Sequence, residues 1–95
     1  MGNVAPAGGE AVTRSLPEKR WTHDPGGWVW KRRMSRRVTA RVLWCDSTAV
    51  RREWYEASVL VYGPRGWTLA SHFRFNTVQL AQRAATRMAL KEMAK

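Results

Sequence analysis

Alternation of apolar and polar residues in three successive segments limits the fold of this chain more than any other feature. In segment 37–45 the even-numbered residues from Val38 to Trp44 are apolar, and most of the residues between them are polar. The same two-residue period recurs in segments 54–62 and 67–75. Because successive side chains of a strand point to opposite faces, this period predicts three half-buried β-strands.

The parity of the three strands predicts two different sheet faces. The face expected to pack in the core carries Val38, Ala40, Val42, Trp44, Tyr55, Ala57, Val59, Val61, Trp67, Leu69, Phe73 and Phe75. The face expected to meet solvent carries Arg37, Thr39, Arg41, Trp54, Glu56, Ser58, Tyr62, Thr68, His72 and Arg74. Trp44, Tyr55, Trp67 and Phe73 are expected to fill most of the core volume.

The strands are followed by a helix. The sequence Gly-Pro-Arg-Gly at 63–66 is typical of a turn and joins the last two strands as a hairpin. Segment 76–95 is rich in residues that favour helices, and Asn76 or Thr77 can cap its first turn. At 100° per residue one helix face is apolar, and it consists of Val78, Ala81, Ala84, Ala85, Met88 and Ala89.

These elements predict one α+β domain, in which a three-stranded antiparallel sheet packs on one C-terminal helix in the order β-β-β-α. The domain is expected to span residues 28–95. Residues 1–27 are expected to form a disordered or flexible arm, because segment 1–20 has no periodicity and residues 24–27 (Asp-Pro-Gly-Gly) form a turn. Trp28 and Trp30 either close one edge of the core or extend the sheet as a further strand.

The charge is concentrated in the predicted domain. The chain of 95 residues has 17 Lys and Arg against 7 Asp and Glu, which gives a formal net charge of +10. Basic and acidic residues balance in segment 1–27, so the whole excess lies on residues 28–95. A strongly basic domain of this size favours an anionic partner.

The solvent-facing side of the sheet combines arginines with aromatic rings and hydroxyl groups, a combination typical of nucleic-acid contacts. The basic run at 31–41 lies close to it. The candidate nucleic-acid-binding residues are Lys31, Arg32, Arg33, Arg36, Arg37, Thr39, Arg41, Trp54, Tyr62, His72 and Arg74. The same surface also fits a protein partner or a plain solvated face, and the charge of Glu56 counts against nucleic acid.

The helix carries a second basic feature. Arg83, Arg87, Lys91 and Lys95 follow one another at steps of four residues and form a ridge. This ridge is either a solvated surface, favoured near the negative end of the helix dipole, or a track for phosphates.

Catalytic, metal and membrane functions find little support. With only Cys45, His23 and His72, the chain lacks the residues for a disulfide framework or a closed zinc site. No nucleophile and base are suitably spaced, no apolar run approaches the length of a membrane-spanning helix, and we expect no signal peptide. We therefore expect a non-enzymatic, cytoplasmic protein without a cofactor, a metal, a small-molecule substrate or a membrane contact.

Segment 54–90 resembles two groups of small DNA-binding domains with three strands and one helix. The resemblance rests on Trp54, on Gly-Trp at 66–67, on Phe75 two residues before Thr77, and on the alanines at 81 and 84. The groups are the ethylene-response-factor (GCC-box) domain and the arm-binding N-terminal domain of tyrosine recombinases. The resemblance implies that the sheet enters the major groove and that Arg37, Arg41, Trp54 and Arg74 contact DNA.

Together these observations predict a small module that binds duplex DNA and is nucleoid-associated in the cell. One alternative is an adaptor or inhibitor, of the kind that mobile elements encode, that binds an acidic protein through the same Trp, Tyr and Arg surface. Another alternative is an RNA-binding protein.

Overall fold

The computed structural model describes residues 16–49 and 51–95. It consists of one antiparallel sheet and one C-terminal helix, so the α+β class and the position of the helix are confirmed. The elements are β1 (Thr22–His23), β2 (Val29–Arg33), β3 (Val38–Ser47), β4 (Arg52–Gly63), β5 (Gly66–Phe75) and α1 (Val78–Met93).

The sheet has five strands in sequential order, so the prediction of three strands is wrong. The two additional strands, β1 and β2, come before the three that the alternating pattern revealed. β2 pairs with β3 along its whole length, with Trp30 opposite Val42 and Arg32 opposite Ala40. The sequence predicts that the ordered domain starts at Trp28. The sheet begins earlier, at Thr22. Residues 1–15 of the predicted arm lie outside the described residues.

Helix α1 covers one face of the sheet through a stripe of alanines. The Thr77 hydroxyl caps the first turn by accepting a hydrogen bond from the backbone N–H of Leu80. Ala81, Ala85 and Ala89 are completely buried against β3 and β4. Because alanine side chains are short, the helix axis lies close to the sheet, and the predicted apolar helix face is confirmed.

The β4–β5 hairpin contains the main departure from the predicted faces. Gly66, with φ of +93°, closes the turn, and Tyr62 pairs with Trp67. Between Val59 and Leu60 the register shifts by one residue, so Ala70 is an extra residue on β5. The bulge places Trp67 and Leu69 on the face opposite the helix and Thr68 on the helix face, which reverses the predicted orientation of all three.

The core is built from small residues and extended by aromatic rings. Val42 and Val59 are the largest completely buried apolar side chains. On the helix side of the sheet, Trp30 stacks on His23, with ring centroids 4.3 Å apart, and meets Tyr55 edge-on at 6.0 Å. Phe73 is 59% exposed and does not fill the core, contrary to prediction. The rings of His23, Trp30 and Tyr55 thus extend the apolar contacts beyond the area that the alanine face of the helix covers.

No helix in the part of the chain that the structure describes is long and apolar enough to cross a membrane.

Candidate functional site

The face of the sheet opposite α1, called the open face below, carries a row of polar side chains that crosses all five strands. The strand register places Thr22, Lys31, Arg41, Ser58 and His72 directly side by side. Neighbours in such a row are about 5 Å apart. Three groups able to carry positive charge thus lie in one line at right angles to the strands, and we call the five residues the central row.

Arg41 is fixed within the central row by its neighbour on β4. Its Nε donates a hydrogen bond to the Ser58 hydroxyl at 3.2 Å, and that hydroxyl donates in turn to the Arg41 carbonyl at 3.3 Å. Ser58 is only 1% exposed, whereas Arg41 is half-buried. Among the described residues, the Nη1 and Nη2 atoms of Arg41 have no hydrogen-bond partner, so they are available to a ligand.

One end of the open face is aromatic and apolar. Tyr62 and Trp67 meet edge-on with ring centroids 5.3 Å apart, and Leu69 lies on the same face. The guanidinium carbon of Arg33 lies 5.2 Å from the centroid of the Trp67 ring. We call Arg33, Tyr62, Trp67 and Leu69 the aromatic end. It offers flat rings and one cation to a partner.

Arg33 also holds the turn between β2 and β3. Its Nε donates to the Ser35 carbonyl and its Nη2 donates to the Arg36 carbonyl, each at 3.0 Å. These bonds keep the exposed residues Arg36 and Arg37 beside the open face, and the backbone of Arg37 pairs with Tyr62. Much of the hydrogen-bonding capacity of Arg33 is therefore used inside the protein.

At the opposite end of the open face, Glu56 joins Trp54 to Arg74. The Trp54 indole N–H donates to a carboxylate oxygen of Glu56 at 3.1 Å, and Arg74 Nε lies 3.6 Å from the same oxygen. The Arg74 guanidinium carbon is also 4.8 Å from the Trp54 ring centroid. We call these three residues the Trp54 cluster. Within it the negative charge of Glu56 is balanced locally by Arg74.

Cys45 pairs with Trp54 across the strands, beside this cluster. Burial raises the pKa of the Cys45 thiol above its ordinary value, and the negative charge of Glu56 raises it further. A thiol with a raised pKa is mostly protonated at neutral pH and is a poor nucleophile. Among residues 16–49 and 51–95, no three His, Cys, Asp or Glu side chains are grouped as metal ligands.

A groove of about 480 Å³ runs across the open face from the aromatic end to β1. Lys31, Thr39 and Trp67 line it, together with Glu18 and Asp24 near the chain's entry into the sheet. Thr39, a predicted site residue, is only 8% exposed, so it shapes the groove floor and presents little surface.

The structure divides the predicted site residues into two sets. On or beside the open face it places Lys31, Arg33, Arg36, Arg37, Thr39, Arg41, Trp54, Tyr62, His72 and Arg74. Arg32 lies on the opposite side, because it alternates with Lys31 and Arg33 along β2; its Nη1 donates to the Thr86 hydroxyl of α1 at 3.4 Å. Trp67 and Leu69 are open-face residues that the strand parity missed.

Comparisons with protein-family models, with curated proteins and with solved structures give no match to this chain.

Proposed function

We propose that this protein is a non-enzymatic module that binds duplex DNA through its open face. The observation that carries the proposal is the central row on the face that the helix leaves uncovered, in which Lys31 lies beside Arg41 and His72 lies beyond Ser58 in the same line. Arginine and lysine side chains in such a line match the repeated phosphates of a nucleic-acid backbone. The two flat rings of the aromatic end add surface for sugars.

The width of the sheet determines how it can meet a duplex. Adjacent strands are about 4.8 Å apart, so β3 to β5 span roughly 10 Å and all five strands roughly 19 Å. The major groove of B-DNA is about 12 Å wide. We therefore place β3, β4 and β5 over the groove, and β1 and β2 over the flanking backbone. In this arrangement Lys31 contacts a phosphate, and Arg41 is the arginine closest to the bases.

The apolar open-face residues fit the same arrangement. Leu43 and Leu60 flank the central row on β3 and β4 and offer methyl groups to thymine in the groove. Glu56 is engaged by the Trp54 indole and by Arg74, so its charge is partly neutralised where it would face DNA. The Glu56 charge is the sequence feature that most opposes DNA binding, and its neighbours therefore reduce the repulsion between it and DNA.

Fluorescence anisotropy of a labelled 20-base-pair duplex, titrated at several salt concentrations, tests the proposal. About six cations border the open face, namely Lys31, Arg33, Arg36, Arg37, Arg41 and Arg74, so log K plotted against log salt should have a slope near −5. The double substitution K31A/R41A should make the slope shallower by up to about 2, because two positive charges beside the phosphate backbones are lost.

A matched control separates a defined surface from general attraction to a basic protein. The double substitution R83A/R87A removes the same two charges from the helix, on the other side of the sheet, and should leave the duplex slope almost unchanged. Equal losses in the two double variants would refute binding through the open face. Undetectable binding of wild-type protein at low salt would refute duplex binding altogether.

A second candidate function is binding of an acidic protein. The specific observation in its favour is the aromatic end, where Tyr62 is 48% exposed, Trp67 41% and Leu69 52%. Aromatic rings beside arginines are typical of protein interface hot spots. Pull-down with and without nuclease treatment discriminates between the two functions, since a partner that is retained after nuclease treatment and lost in a Trp67→Ala variant supports the protein-binding function. A preference for duplex RNA over duplex DNA at matched salt would instead support RNA binding.

A further inference from the structure

A second cationic surface lies on the helix side of the sheet, away from the open face. It is a groove of about 470 Å³ between α1 and the segment that leads into β1. Trp21 and Arg32 form one wall, and Gln79, Gln82, Arg83 and Arg87 line the helix wall. We call it the helix groove. The groove is shallow and open to solvent along its length.

The cation at the wall of the helix groove is held in place by the protein. Arg32 Nη1 donates to the Thr86 hydroxyl at 3.4 Å, and Arg32 Nε donates to the Glu18 carbonyl. Both acceptors are uncharged, so the positive charge of Arg32 is oriented without being neutralised. Arg83 and Arg87 add two exposed cations one helical turn apart, and no acidic side chain is among the described residues that line the groove.

The groove also contains groups suited to nucleobases. Trp21 is half-buried and packs against the core, which holds its indole in the wall while part of the ring remains accessible. Gln79 and Gln82 supply carboxamides, each of which can donate and accept hydrogen bonds. An accessible indole stacks on any unpaired base, whereas the bases of a duplex are already stacked on each other.

From these features we infer that the helix groove binds single-stranded nucleic acid. Arg32, Arg83 and Arg87 contact the phosphates, Trp21 stacks on one base, and the glutamine carboxamides contact base edges. The inference does not depend on the proposed function, because the groove and the open face lie on opposite sides of the sheet. If both sites bind, one molecule holds a duplex on one side and a single strand on the other.

Anisotropy of a labelled 12-residue oligothymidine and of an abasic oligonucleotide of equal length tests this site in the full chain. R83A/R87A should weaken oligothymidine binding at least tenfold and should leave duplex binding nearly unchanged. K31A/R41A, which loses the same charge from the open face, should show the converse pattern. Trp21→Leu keeps an apolar group in the wall but removes the stacking ring, and it should weaken oligothymidine binding about fivefold or more.

The abasic oligonucleotide distinguishes a nucleic-acid site from a simple anion site. Wild-type protein should bind it several-fold more weakly than oligothymidine, and Trp21→Leu should abolish that difference. Equal affinity for the two oligonucleotides, equal losses in the two double variants, or displacement of oligothymidine by an equally charged oligoglutamate peptide at similar concentration would each overturn the proposal. R83A/R87A changes only exposed side chains, and the comparison of the two oligonucleotides uses wild-type protein, so both tests remain decisive even if Trp21→Leu unfolds.

Discussion

Arg41 and Ser58 face each other across β3 and β4 and are joined by two hydrogen bonds, one donated by each residue. The Arg41 Nε donates to the Ser58 hydroxyl at 3.2 Å, and the hydroxyl donates to the Arg41 carbonyl at 3.3 Å. The completely buried Ser58 hydroxyl thus has both a donor and an acceptor partner. The same bonds fix the position of the Arg41 Nε atom on the open face. Ser58 is therefore a positioning residue for Arg41.

The first prediction concerns this pair. Ser58→Ala removes the hydroxyl without adding volume, so it should lower the free energy of unfolding by about 1 kcal/mol. It should also weaken duplex binding several-fold, because Arg41 is no longer held. Urea denaturation measures the first effect and anisotropy the second. In an Arg41→Ala background, Ser58→Ala should have no further effect on duplex affinity; an undiminished effect would show that Ser58 does not act through Arg41.

The second prediction separates binding from stability at the Trp54 cluster. The Arg74 side chain is 69% exposed, so its ion pair with Glu56 adds little to the folded state. Arg74→Ala should change the free energy of unfolding by less than about 1 kcal/mol. It should nevertheless weaken duplex binding, because it removes an exposed cation at the open-face edge.

Arg74→Lys is the matched control for that substitution, since it keeps the charge but loses the planar group that lies over Trp54. It should retain most of the duplex affinity if Arg74 contacts a phosphate. A loss of thermal stability as large as that of a core substitution, in either variant, would assign Arg74 to the fold instead of to the binding surface.

The third prediction follows from the raised pKa of Cys45. Because burial and the charge of Glu56 favour the protonated thiol, alkylation by iodoacetamide at pH 7.5 should be slower than for an exposed cysteine, and its rate should rise with pH. Glu56→Gln removes the negative charge, lowers the pKa and should speed alkylation at a fixed pH. Mass spectrometry of the modified protein follows the rate.

Glu92→Gln provides the control for the alkylation experiment, because Glu92 lies near the end of α1 and pairs with Lys95. It should leave the Cys45 rate unchanged. If Glu56→Gln also leaves the rate unchanged, the charge of Glu56 does not act on the thiol.

The fourth prediction concerns the close approach of the helix to the sheet. Ala85 has no exposed surface, and leucine at this position adds three carbon atoms where the sheet leaves no space. Ala85→Leu should therefore lower the free energy of unfolding by about 1–3 kcal/mol. Ala94→Leu, beyond the end of α1 and exposed, should be almost neutral. Thermal unfolding followed by circular dichroism compares them, and equal stabilities would mean that the helix can move away from the sheet.

The sequence predicts the last three strands and the helix because each carries regularly spaced apolar residues over most of its length. For β2 the alternation of Trp28 and Trp30 leaves a further strand as only one of two alternatives, because in Val-Trp-Lys-Arg-Arg the helix-facing residues are Trp30 and Arg32. Trp30 and Arg32 are assigned to the helix side of the sheet only by their pairing with Val42 and Ala40. A charged residue on the covered side breaks the pattern, and the carbonyl of Glu18 and the hydroxyl of Thr86 compensate for it.

The hairpin turn alone is enough to predict the sheet face on which Trp67 lies. A turn over residues 63–66 places Tyr62 opposite Trp67, and residues opposite each other share a sheet face. Tyr62 alternates with the core residues Val59 and Val61, so Trp67 must lie on the open face. The shared odd parity of Trp67, Leu69, Phe73 and Phe75, which only Ser71 interrupts, indicates the contrary. A bulge reconciles the two signals, but parity alone does not reveal it.

The fifth prediction tests this bulge. Without Ala70, the register set by Tyr62 and Trp67 continues regularly, and the residue now numbered Ser71 still pairs with Val59. Deletion of Ala70 should therefore preserve both faces of the sheet and cooperative unfolding, because no side chain changes sides. Deletion of Ala57 is the control, since a lost residue in the middle of β4 turns the rest of that strand over and exposes core side chains. Circular dichroism and thermal unfolding compare the two variants. Unfolding of the Ala70 deletion to the same extent as the Ala57 deletion would show that the bulge is required for the fold.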